Sequence, residues 1–442
     1  MNNPHARPVS EADRILSLDV LRGFALLGIL LLNIVGMGMH SASYFSPDLH
    51  AADGISELPI NLAVWATVDV LFEGAMRALF SMLFGASIVL LATGRSARGA
   101  PMFYRRNAWL LAFGLVDAYV LFWTGDILVT YALAGFVLFR FRNASPRKLL
   151  ISALVVLVLH TGFFVGWKYS LAIGQQAAVE VASNPELGGP GASEMAEVWY
   201  DFESNFVVPP GTEAVELQQR RASYPDAFLF NAGKATGMIL VSIPTLLLWD
   251  ALIMMLIGMA LFKQSILDAS KSTGFYVKLM LIGFGTGFAI NSWEVYQAAR
   301  SGFQLLETFP YLHWTYHLGR LGMAFGWMGL ILFVCRKSFW AKARHALAAV
   351  GRMALTNYLM HSVFALVLFS GAGFALVGEF DRWMLYPIVA SIWVIQLIVS
   401  PWWLSRFQFG PCEWLWRSLS YGRIPALRRT PYARTGVLIR KE

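Results

Sequence analysis

Ten apolar runs of bilayer length, set between short joints that alternate in charge, constrain this chain more than any other feature. The runs fall at about 17–38, 72–94, 108–125, 127–143, 149–172, 236–262, 275–296, 312–335, 352–374 and 383–405. Each is near the ~20 residues a helix needs to cross the hydrocarbon core. Only 14% of residues are charged and 57% are hydrophobic, with a mean hydropathy of +0.55. Soluble domains carry about 25% charged residues. Such a composition cannot dress a soluble surface, and it excludes a soluble enzyme, a disordered chain and a fibre. The expected fold class is all-α: a polytopic helical membrane protein of about ten transmembrane helices.

The joints set the orientation. With the N-terminus inside, the inner joints hold Arg95, Arg98, Arg105 and Arg106; then Arg140, Arg142, Arg147 and Lys148; then Lys263, Lys271 and Lys278; then Arg336, Lys337, Lys342 and Arg344. The tail adds Arg406, Arg417, Arg423, Arg428, Arg429, Arg434, Arg440 and Lys441. The outer joints are nearly free of Lys and Arg, so both termini are expected in the cytoplasm. The net charge of +8 then serves to orient helices and to meet anionic membrane lipids, not nucleic acid, for which there is no basic stripe or recognition motif. Cys335 and Cys412 both fall on the inner side and imply neither a disulfide framework nor a zinc site. The polar segment 1–13 and the first apolar run read as a retained signal-anchor helix.

Four regions follow: a five-helix half at 1–173, an acidic extracytoplasmic loop at 174–231, a second five-helix half at 232–406, and a cytoplasmic interfacial helix with a basic tail at 407–442. The loop carries nine acids, from Glu180 to Asp226, against Arg220 and Arg221. Its helical part, about 193–206, is either a cap over the bundle or a solvated spacer. Five spans on either side of it would give halves of inverted topology, as in transporters, although no repeat between them is evident. A Gly/Ala-rich helix face leaves room for a homodimer, though no single GxxxG motif makes that case.

The stretches 14–34 (RILSLDVLRGFALLGILLLNI), 79–88 (LFSMLFGASI), 351–363 (GRMALTNYLMHSV) and the run FGPCEWLWRSLSYG, in that order, resemble the YeiB family of bacterial inner-membrane proteins over nearly the whole chain. That family is similar to the transmembrane acyltransferases, a group that includes the lysosomal heparan N-acetyltransferase. Its members move an acyl group from cytoplasmic acyl-CoA to an acceptor on the far side. The second link rests on Leu18-Asp19 with Arg22-Gly23, and on Asn33 eleven residues after Arg22. The resemblance implies a multi-pass protein of the bacterial inner membrane, acyl-CoA as co-substrate and no covalently bound cofactor. In the heparan branch a histidine of the first lumenal loop is catalytic. This chain has His40 and His50 in that loop, with Tyr44 nearer the matching place. After GRMALTNYL most relatives continue with Gln, where this chain has His361.

A charge in the bilayer core costs at least ~2.5–3.5 kcal/mol, so each needs a partner, a wet cavity or a function. Asp19 and Arg22 are three residues apart near the inner end of the first span; they form an interfacial ion pair or present Arg22 to the phosphates of a CoA-like ligand. Asn33, about 16 Å further out, is a helix–helix hydrogen bond or an oxyanion donor. Asp69, Glu73 and Arg77 are spaced as one stripe on a helix entering the second span, either a self-neutralised triplet or the lining of a cavity. His313, His317 and Arg320 share a face of span eight. The two histidines have metal-ligand spacing, but no third ligand is evident unless Glu294 approaches, and no metal is assigned. In span nine Arg352 marks the cytoplasmic start. Asn357 and His361 are four apart, either a packing pair or an amide that orients an imidazole base. Asp250 follows Pro244 and hints at a broken helix, and Lys168 lies near the outer interface.

Three functions stay open. In an acyltransferase, Arg22, Arg320 and Arg352 would hold acyl-CoA phosphates, His361 with Asn357 would act as base, Asn33 would steady the tetrahedral intermediate, and His40 is the loop histidine. In a secondary transporter or channel, Asp69, Glu73 and Arg77 would line the pathway. The third is a non-catalytic scaffold or lipid-binding protein. There is no P-loop, dinucleotide fingerprint, serine elbow or HExxH.

Overall fold

A computed structural model describes residues 15–47, 49–50, 54–55, 59–93, 99–183, 190–204, 206–209 and 212–429. The N-terminal polar segment, Arg95, Arg98 and the end of the basic tail lie outside these. The helices in chain order are α1 Leu16–Gly38, α2 Pro59–Phe72, α3 Ala75–Thr93, α4 Ala100–Tyr119, α5 Leu128–Leu138, α6 Pro146–Ser183, α7 Pro190–Ser204, α8 Glu213–Arg221, α9 Tyr224–Gly237, α10 Leu248–Lys263, α11 Thr273–Arg300, α12 Leu305–Thr308, α13 Tyr316–Lys337, α14 Ala341–Arg352, α15 Ala354–Phe369, α16 Leu385–Arg406 and α17 Pro411–Tyr421. A two-residue antiparallel pairing, Leu49–His50 with Gly54–Ile55, is the sheet content of the described residues.

The protein is an all-α multi-pass membrane protein. Among the described residues seven helical stretches are long and apolar enough to cross a bilayer, and α14 with α15, bent by 80°, makes an eighth if it counts as one passage. The other two of the ten runs are α5, which is short, and α4, which carries Arg105, Arg106 and Asp117. Leu154, Leu159 and Phe163 of α6, Leu281 and Ile282 of α11 and Ile398 of α16 point outward and are exposed, as lipid-facing residues must be. In contrast α10 is buried on all sides from Asp250 to Ala260, and most of α1 is buried too.

Glycine stripes bring these central helices to backbone contact. A Cβ on Gly85 of α3 would overlap the Met255 carbonyl of α10, and one on Gly258 would overlap that of Met82. Gly283 and Gly287 of α11 face Gly322 and Gly326 of α13, where a Cβ on Gly322 would come within 2.7 Å of the Gly287 nitrogen. These are GxxxG spacings, and the fold uses them within one chain. Pro244 has no N–H to give a regular helix, and residues 238–247 between α9 and α10 wind as a π-helix instead of breaking.

The acidic loop is largely helical. α6 runs on to Ser183, beyond the expected end of its span, and α7 packs along it. α8 sits on the outer end of α1. There Arg220 donates to the carbonyls of Gly36 (3.1 Å), Met37 (2.6 Å) and Met39 (2.7 Å), acceptors that the helix end leaves unpaired. Beside it, Glu216 accepts from the Ser41 backbone N–H (2.9 Å) and hydroxyl (2.7 Å) and pairs with Lys234 and Arg220. Burial works to raise the Glu216 carboxyl, but Lys234, Arg220 and His40 hold it down to about 2.

Candidate functional site

The inner site begins with a close helix crossing. Gly23 of α1 and Gly351 of α14 meet backbone to backbone. Arg22 and Arg352, each one residue from its glycine, therefore open on the same cleft, on the side expected to be inner. Its volume is about 1610 Å³, including the open mouth. Arg106 and Arg417 join the rim, so four guanidiniums face two carboxylates, Asp19 and Glu413. Arg22 donates to Asp19 (3.0 Å) and to Ser87 (3.3 Å), Arg106 stacks over Trp416 at 4.2 Å, and Arg417 lies over Phe409 at 4.5 Å. The deeper walls are apolar and aromatic: Phe80, Phe84, Leu110, Leu128 and Tyr131.

The interfacial helix completes this cleft. Glu413 of α17 accepts from the N–H groups of Leu355 (2.7 Å) and Thr356 (3.1 Å) and from the Thr356 hydroxyl (2.6 Å). These are first-turn donors of α15, so Glu413 caps the helix across the 80° bend. The seat is tight, because a Cβ on Gly410 would overlap the Glu413 carboxylate.

On the outer side two neighbouring cavities share Trp65, Asp69, Glu73, Thr308 and Pro310. One, of about 490 Å³ including its open mouth, adds Tyr44, Arg382 and Tyr386; the other, of about 430 Å³ on the same measure, adds Asn291, Glu294, His313 and Arg320. Glu73 accepts from Tyr44 (2.9 Å) and Tyr316 (3.1 Å). Lys168 pairs with Glu307 at 2.7 Å at the rim.

Between the inner and outer cavities lies a buried ionic network. Asp250 pairs with Arg320 through one oxygen, and through the other accepts from Tyr311 (3.2 Å) and faces Arg77 Nε (3.4 Å). Arg77 donates to Tyr311 and Tyr316, both at 2.9 Å. Arg320 also donates to His317 Nδ1 (2.7 Å). Because a guanidinium only donates, His317 carries its proton on Nε2 and gives it to His160 Nδ1 at 3.0 Å. Two acids, Asp250 and Glu73, balance two arginines, which is what a low-dielectric site requires. On the inner side Tyr131 bonds Ser81 (2.6 Å), and its hydroxyl reaches the Arg77 carbonyl (3.4 Å).

Several expectations are corrected. Asp69, Glu73 and Arg77 do not share one helix, because the chain turns at Glu73 and Gly74. Gly74 has a φ of +63°, and a Cβ there would meet Tyr316 Oη at 2.8 Å and Arg320 Cδ at 2.9 Å. Asp69 and Glu73 do line the outer cavities, while Arg77 lies in the partition. Arg320 belongs to the buried network with Asp250 and does not line the cleft that Arg22 and Arg352 share. Asn357 does not orient His361: its amide donates to Val350 O (3.2 Å) and Ser400 Oγ (3.1 Å), whereas Gln396 of α16 bonds His361 Nε2 at 3.2 Å. His361 is buried and lines none of the three cavities described. Nor does His40, which accepts from the Ala42 N–H at 3.1 Å and faces Glu216, or Asn33. His313 and His317 are not on one helix face, because α13 starts only at Tyr316; His313 bonds the Glu307 carbonyl instead. Among the described residues no cluster of metal-ligating side chains forms.

Residues 261–423 match the family profile described as "Protein of unknown function (DUF418)". The chain is 30% identical to "Uncharacterized protein YeiB" of Escherichia coli (strain K12) over 428 residues, 95% of this chain and 99% of that protein. It is 29% identical to "Uncharacterized protein YxaH" of Bacillus subtilis (strain 168) over 438 residues, 94% of this chain and 96% of the relative. A third relative, "Uncharacterized 39.9 kDa protein in amylase 3'region" of Bacillus acidopullulyticus, is 25% identical over 427 residues, 94% of this chain and 96% of its own length. No solved structure matches the chain.

Proposed function

The chain belongs to the YeiB family, and on that premise we propose that it is an inner-membrane acyltransferase, taking acyl-CoA from the cytoplasm and passing the acyl group to an acceptor outside. The observation that carries this reading is the pair of opposed cavities at α3. Glu73, at the turn that leads into α3, lines the outer cavities, and Phe80 of α3 lines the inner cleft, seven residues on. In this reading α4 and α5 also cross, giving ten passages with both termini cytoplasmic.

The residues divide the work. Arg22, Arg106, Arg352 and Arg417 meet the phosphates, for which planar guanidiniums are suited. The apolar depth takes the pantetheine arm and brings the thioester toward Ser81 and Tyr131. The acceptor's oxygen or nitrogen attacks the thioester carbonyl as the carbon–sulfur bond breaks. Its proton passes to an outer carboxylate, and the thiolate leaves to the cytoplasm and is protonated there. Tyr131 is bonded to Ser81 and the Arg77 carbonyl, so it closes the partition and must swing aside for transfer. His361 and His40 take no part in this scheme.

The test uses everted vesicles, whose cytoplasmic face is outside. Acyl-labelled acetyl-CoA should leave its label on a lumenal acceptor and release free CoA outside, and Arg22→Gln or Arg352→Gln should abolish both. Two opposed cavities also fit a secondary transporter, which would deliver intact ligand to the lumen with no release of CoA.

A further inference from the structure

We propose that the outer cavity between α2, α11 and α13 is a binding site for a small amino-acid-like zwitterion, held by its carboxylate at Arg320 and by its ammonium at Asp69 and Glu294. Arg320 is 1% exposed. Its Nη2 serves Asp250 and His317, but Nε and Nη1 have no hydrogen-bond partner among the described residues. Buried donors are almost always paired, and an arginine carries five of them. These unpaired donors belong to a side chain that borders the cavity, about 430 Å³ with its open mouth, and a ligand oxygen would satisfy them.

The same cavity offers acceptors. Asp69 makes no hydrogen bond or ion pair with any described side chain at ion-pair distance, and it lines both outer cavities. Glu294 takes the Thr315 hydroxyl on one oxygen, leaving the other for a ligand. The remaining carboxylates of this cavity are engaged: Glu73 by Tyr44 and Tyr316, and Glu307 by Lys168. Trp65 supplies a flat wall against which an ammonium is favoured. Arg320, with two donor nitrogens still unpaired, and the acceptors Asp69 and Glu294 therefore border one small space, which selects a molecule carrying both charges. The site stands on this geometry alone; under acyl transfer the bound amine would be the acceptor.

The test is titration of the full chain in nanodiscs with glycine, β-alanine, 4-aminobutyrate and 5-aminovalerate, read by calorimetry and thermal shift. Butylamine and butyrate serve as single-charge controls. At least one zwitterion should bind saturably, with each control weaker by about tenfold or more, which is about 1.4 kcal/mol. Asp69→Asn, at a position outside the ion-pair network, and Arg320→Lys, which keeps a charge for Asp250, should each weaken it by a similar factor. The proposal is overturned if no zwitterion binds, if butylamine or butyrate binds equally well, or if Asp69→Asn changes nothing. Acetyl-CoA is titrated separately on the same preparation. Zwitterion binding without CoA binding would sustain this site while overturning acyl transfer.

Discussion

Gly351 of α14 lies so close to Gly23 of α1 that a Cβ on Gly351 would overlap the Asp19 carbonyl oxygen and come within 2.8 Å of the Gly23 nitrogen. That contact joins the two motifs LDVLRG and GRMALTN. It sets Arg22 beside Arg352, and with them the rim of the cleft.

Gly351→Val should therefore lower stability by more than the ~1–3 kcal/mol typical of overpacking, since the obstacle is backbone and cannot move aside. Gly162→Ala on α6, where nothing lies within 4 Å, should be neutral or slightly stabilising. Thermal unfolding of the detergent-purified variants checks both.

Asp250→Asn leaves Arg320 and Arg77 without their shared carboxylate. Breaking a buried pair from one side costs about 3–5 kcal/mol. The double variant Asp250→Leu with Arg320→Met should lose less than the two single changes added together. A double-mutant cycle on unfolding midpoints measures this.

Glu413→Ala removes the cap of α15 and should cost about 1–2 kcal/mol. Because Glu413 also lines the cleft mouth, the change should alter CoA affinity as well as stability. His361→Gln, at a site outside the cleft, should leave CoA affinity unchanged. Parallel melting and binding curves separate the two effects.

The Glu216 latch sets an acid limit. Its carboxyl is held down to about 2, against an ordinary value of 4.5. A depressed carboxyl contributes stability that is complete above the unfolded value and lost as pH falls toward the folded one. The shift corresponds to about 3 kcal/mol at neutral pH. Stability should thus hold from pH 8 to 5 and fall below about 4. Glu216→Gln should be less stable at pH 7 and show a weaker acid dependence, as melting against pH would reveal.

The membrane fold was legible because a 20-residue apolar run and a charged joint are local signals. The site was less so, because its geometry depends on distant partners. Helical spacing put Asp69, Glu73 and Arg77 on one face, but Gly74 at positive φ turns the chain between them. Spacing likewise paired Asn357 with His361, whereas Gln396 comes from α16 and takes the imidazole. Pro310 and the short turn after it delay α13 and separate His313 from His317. Glu413, an acid within a Trp- and Arg-rich segment, was the one local hint of a buried acceptor there. Arg22 and Arg352 were both legible as inner-side cations, and the glycine beside each explains why they meet.

The most direct test is acetyl-CoA binding to the purified protein, followed by native mass spectrometry and thermal shift. A 1:1 complex is expected that Arg22→Gln and Arg352→Gln each weaken at least tenfold, with His361→Gln and His40→Gln without effect. No complex at millimolar acetyl-CoA, or a complex indifferent to both arginines, would contradict it.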